Sequence, residues 1–113
     1  MGSALYSWEK CHFALLTLAA GTGTLRERLA SAWWNNLNLL TGHPIPWPDL
    51  AEKFDSISLR LMTEISTTEH PRLTEDELRD HAKEIVVLCD HVFQRYALDP
   101  DATEHTVRLA RET

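Results

Sequence analysis

Apolar residues recur along this chain at helical spacing, in four segments separated by breaks rich in Gly, Pro and Thr. In the third segment Leu50, Phe54, Ile57, Leu61 and Ile65 form a stripe at i, i+4, i+7, i+11 and i+15, one face of a 3.6-residue helix. Leu78, Ala82, Ile85, Cys89, Val92, Phe93 and Tyr96 repeat that pattern in the fourth. In the second, Leu25, Leu29, Ala32, Trp33, Leu37, Leu39 and Leu40 share one broad face, with Glu27 and Asn38 opposite. The first, Leu5 to Ala20, is apolar around most of its circumference through Trp8, Leu15, Leu16 and Ala19. It is predicted to be the most buried helix. No segment alternates as a half-buried strand would.

The breaks agree with this reading. Thr24 precedes Glu27, and Thr74 precedes Glu77, at the spacing of a capping box, in which side chain and backbone satisfy each other's orphan amides. "TGHPIPWPDL" carries three prolines and sets Pro48 in the first turn of the third helix. Gly21 is expected in a left-handed conformation after the first helix, with Gly23 and Thr24 turning the chain into the second. The predicted fold is therefore all-α: a single domain over residues 1–113, a bundle of four main helices, with a short helical appendage over about 98–113 starting at Asp99 and Pro100.

Composition changes little in that picture. With 113 residues, 43% hydrophobic and 25% charged, the chain is long enough to bury a core without disulfides. Its net charge of -6, with Lys and Arg scattered from Lys10 to Arg111, argues against nucleic acid as a partner. Cys11 and Cys89 make no disulfide framework and read as small buried hydrophobes. No run is long and apolar enough to span a bilayer, and a reducing, cytoplasmic setting is the expectation.

Candidate chemistry is sparse. In "GTGTLRER" no Lys follows the second Gly and Arg26 stands where a dinucleotide fingerprint would need a third Gly, so the stretch reads as a helix corner rather than a phosphate loop. Gly23, Thr24, Arg26 and Arg28 could still hold an anion weakly. None of His12, His43, His70, His81, His91 and His105 has a second His or Cys three or four residues away, so no metal or other cofactor is expected. The acids of "PDLAEKFD" and "TEDE" sit in first helical turns, where they oppose the helix dipole, and no catalytic residue is assigned.

Apolar residues off the core stripes carry more information. Trp34, Leu59 and Val87 each project away from the stripe of their own helix. They mark either two-sided burial or a contact surface, and a twofold homodimer with Trp34 near its interface is one expectation. The first functional reading is thus a non-catalytic interaction or regulatory protein that binds itself or a protein partner. A second is a small-molecule-binding bundle with a pocket near Trp8, His12, Asn36 and Tyr96. "GTGTLRERLASAWWNNLNLL" followed by "PWPDLAEKFDSISLRLM" resembles a family of small, uncharacterised helical bacterial proteins with a Gly-x-Gly turn and an Arg-containing helix. The resemblance covers the first half of the chain. It implies a helical fold and a bacterial or phage-related origin, and it transfers no functional residue.

Overall fold

The computed structural model describes residues 3–42, 44–64 and 73–102. These form an all-α bundle of α1 (Ala4–Ala20), α2 (Leu25–Asn35), a 3₁₀ helix (Leu37–Thr41), α3 (Pro48–Glu64) and α4 (Glu75–Leu98), with no strand among the described residues. The starts of α2, α3 and α4 are those the sequence marks. Thr24 accepts the amide of Glu27 at 3.1 Å. Thr74 accepts that of Glu77 at 3.1 Å while the Glu77 carboxylate returns to the Thr74 amide, a complete capping box. Pro48 is the first residue of α3, where its missing N–H costs nothing.

Helix α4 packs between α1 and α3, and α2 with the 3₁₀ helix closes over α1. Helices α1 and α4 run antiparallel: the amide of Ala4 donates to the carbonyl of Ala102 at 3.0 Å, Trp8 meets Phe93 and Tyr96, and Cys11 meets Cys89. The stripes of α3 and α4 enter the core as their spacing requires, with Leu50, Phe54, Ile57, Leu61, Leu78, Ile85, Cys89 and Val92 all buried. Leu88 and His81 are buried beside them. Ile65 lies outside the described residues. Between α2 and α3, Trp33 stacks on Phe54 with ring centroids 5.8 Å apart.

Three expectations are corrected. The predicted arc of α1 is not the buried one: its inward stripe is Ala4, Ser7, Cys11, Ala14 and Leu18, while Leu16 and Ala19 are exposed. The reason is spacing between helices, since small side chains at the contact let α1 approach α4 and α2 closely and leave the bulky residues to point elsewhere. The second helix does not run to Leu40. Asn36, at φ -131 and ψ -70, breaks it after Asn35, and the chain continues as a 3₁₀ turn that buries Leu37 and Leu40 but exposes Leu39. The glycine with a left-handed backbone is Gly23, at φ 98, whereas Gly21 is extended at φ -67 and is needed for room, since a Cβ there would collide with the Thr17 carbonyl.

The C-terminal appendage lies mostly outside the described residues. Asp99 caps the end of α4 rather than opening a helix, and Ala102 is buried through its contact with the start of α1.

The neighbouring tryptophans divide between core and surface, Trp33 being fully buried and Trp34 45% exposed. Trp33→Ala is expected to cost about 3 kcal/mol or more, because it empties a site bounded by Phe54. Trp34→Ala should stay within about 1 kcal/mol. Equal losses in thermal melts would contradict this division. Cys89 gives a second test. Its contact with the Cys11 thiol and its burial hold it well above the ordinary thiol range. The folded state therefore favours the neutral thiol; this stabilisation is complete below the unfolded thiol's range and is lost as pH rises beyond about 8.5. A melting temperature that falls on the alkaline side in wild type, and falls less in Cys89→Ala, is the expected result.

Candidate binding surfaces

Two regions of the described surface combine exposed apolar groups with a definite geometry. The first is the outer face of α1. Leu5, Phe13 and Leu16 are 51, 48 and 47% exposed, although they belong to a helix whose opposite side is fully buried. By helical geometry the three lie about 140–160° from the Ala4–Leu18 stripe. Glu9 is the charged residue within this face, and His12 flanks it on the side toward α4.

Beside that face the structure brings together three of the four residues of the sequence-predicted pocket. Trp8 lies parallel on His12, centroids 4.9 Å apart and planes 7° apart, and contacts Tyr96 at 6.1 Å and Phe93 at 5.9 Å. This is a packed aromatic cluster between α1 and α4. Asn36 stands apart from it, its amide donating to the Thr17 hydroxyl at 3.5 Å along the α1–α2 seam.

The second region is a groove along the α3–α4 seam. Antiparallel pairing holds one register throughout: Asp49 faces Arg95, Lys53 faces His91 and Arg60 faces Glu84. Arg95 grips Asp49 with two nitrogens, at 2.7 and 3.2 Å, and lies over the Trp47 ring at 5.9 Å. That guanidinium holds the Asp49 carboxyl below its usual range. Arg60 meets Glu84 at 2.6 Å. Between these ion pairs a cavity of about 380 Å³ opens over Ile57, Val87 and Leu88, rimmed by Lys53, Lys83 and His91. A smaller one of about 220 Å³ continues from Lys53 and His91 toward Arg95 and Leu98.

Of the residues singled out as a contact surface, Trp34, Leu59 and Val87 are all exposed, at 45, 70 and 52%. They occupy α2, α3 and α4, and Val87 lines the groove. The sequence did not mark this groove. Lys53, Arg60, Lys83 and His91 are scattered in the chain, and only the antiparallel register gathers them; the spacing of Asp49, Lys53 and Arg60 at i, i+4 and i+11 on α3 was the faint signal available.

The corner Gly21–Thr24 is occupied by the protein's own groups. The Glu27 carboxylate lies beside Gly23 and accepts from the Thr24 hydroxyl at 3.2 Å. Arg28 reaches back to the carbonyl of Leu18 at 2.5 Å, closing the end of α1. Of the weak anion site, then, Thr24 and Arg28 are engaged within the fold and an acid fills the concavity. Among the described residues no group of three or more His, Cys, Asp or Glu is placed to hold a metal, and no helix is long and apolar enough to cross a membrane. No protein-family model matches the chain, and no curated protein or solved structure is similar enough to match it.

Because Arg28 closes the end of α1, Arg28→Ala should lower stability by about 1.5–3 kcal/mol, the worth of a charged hydrogen bond. Sulfate or ATP should leave the wild-type melt unshifted through this corner. A ligand-dependent rise in melting temperature that Arg28→Ala abolishes would show the opposite.

Proposed function

We propose that this protein is a non-catalytic interaction module that works by self-association, and that the outer face of α1 is its contact surface. The carrying observation is the inverted layout of α1, with small residues inward and Leu5, Phe13 and Leu16 outward. A helix that buries alanine and exposes leucine and phenylalanine leaves apolar area that association would remove from water.

The face suits a second copy of itself. An antiparallel twofold pairing of α1 centred between Lys10 and Cys11 sets Leu5 of each copy against Leu16 of the other. The same register sets Glu9 against His12, a carboxylate against an imidazole. Such self-complementarity is what an isologous interface requires. The charged flank fixes register while the apolar positions supply the attraction. Trp34, on the side of α2 away from Arg28 and α1, is a separate exposed group in this arrangement.

Light scattering combined with thermal melts tests the proposal. Wild type is expected to be dimeric at micromolar concentration, and Leu16→Glu monomeric with its melt within about 1 kcal/mol of the parent, since the position is on the surface. A wild type that stays monomeric at high micromolar concentration refutes self-association. A dimer that survives Leu16→Glu but dissociates in Trp34→Ala moves the interface to α2.

A further inference from the structure

The α3–α4 groove has a charge unlike that of the molecule around it. The chain carries a net charge of -6, yet the cavity over Ile57, Val87 and Leu88 is lined by Lys53, Arg60, Lys83 and His91 against one acid, Glu84. Glu84 is engaged by Arg60 at 2.6 Å. Lys53 and Lys83 have no carboxylate partner among the described residues, although seventeen acids were available in the sequence. At one end of the cavity the Lys53 ammonium and His91 Nδ1 converge to 3.5 Å, and both side chains line the two adjoining cavities. Asp49, which lines the smaller cavity beside them, is gripped by both terminal nitrogens of Arg95.

We infer that this groove binds an aliphatic carboxylate, its head group at Lys53 and His91 and its chain lying over Ile57, Val87 and Leu88. The volume, about 380 Å³, falls in the range of small-ligand sites. The floor is aliphatic, with no Phe, Tyr or Trp ring in the lining to stack on a planar ligand. Seven residues of helix separate Lys53 from Arg60, about 10 Å of rise, so the floor accommodates a medium-length chain before the Arg60–Glu84 pair closes the far end. The exposed Lys53 ammonium supplies the charge that pairs with a carboxylate at the head end.

Sodium octanoate, titrated by calorimetry and by NMR of the methyl groups and the imidazole ring, is the probe, with acetate, 1-octanol and octyl phosphate beside it. Octanoate should bind saturably and shift the signals of Val87, Leu88 and His91, while acetate and octanol bind at least about tenfold more weakly. Lys53→Gln should weaken octanoate by about tenfold or more while keeping the wild-type melt, because the side chain is exposed and holds no ion pair among the described residues. Octanol binding as tightly as octanoate, or Lys53→Gln binding as wild type does, refutes the head-group assignment. Tighter binding of octyl phosphate overturns the choice of carboxylate, and no saturable octanoate binding at millimolar concentration overturns the site. Leu16→Glu should bind octanoate as wild type does, so this outcome is independent of self-association.

Discussion

The close approach of α1 to α4 governs the rest of the molecule. Ala4, Ser7, Cys11 and Ala14 present almost no bulk at that contact, and Cys89 answers Cys11 with another small side chain. Helices that meet across such residues come near the short end of the usual interaxial range. Trp8 is therefore displaced to the seam, where it packs on His12, Phe93 and Tyr96, and Leu5, Phe13 and Leu16 are left on the outside. The surface proposed for association is thus a by-product of how tightly the interior closes.

On its other side α4 meets α3 through a different kind of contact. Ile57, Leu61, Ile85 and Leu88 bury apolar area beneath, and Trp33 against Phe54 ties α3 to α2. Above that layer the two helices are joined by long polar side chains: Asp49 with Arg95, Lys53 with His91, Arg60 with Glu84. Such exposed pairs contribute little to stability, each about 0–1 kcal/mol. Their length holds the helix surfaces apart, and the groove is the space they span. One face of α4 meets the small side chains of α1 at Cys89, and the other is bridged to α3 by some of the longest.

Much of the fold was legible residue by residue. The caps at Thr24 and Thr74, Pro48 at the start of α3, and the stripes of α3 and α4 follow from local chemistry, because orphan amides and fixed periodicities act over three or four residues. Trp33 inside and Trp34 outside follows as well, adjacent helical residues being about 100° apart. The candidate surfaces were less legible. Periodicity marked Trp34, Leu59 and Val87 as off-stripe, but it placed Leu16 inside α1, because a segment apolar nearly all round offers no polar side from which to read orientation.

The sequence by itself determined where α2, α3 and α4 begin and which faces of α3 and α4 enter the core, since each of these depends on neighbours within a turn or two. Tertiary structure decided which side of α1 is inside, because that choice weighs its small residues against the shape of α4, some seventy or eighty positions away. It decided that Asn36 breaks α2, turning Leu37 and Leu40 into the core by a 3₁₀ turn. It also decided that Lys53 and His91 share one site. Their proximity exists only in the antiparallel register of α3 and α4, which no local pattern encodes.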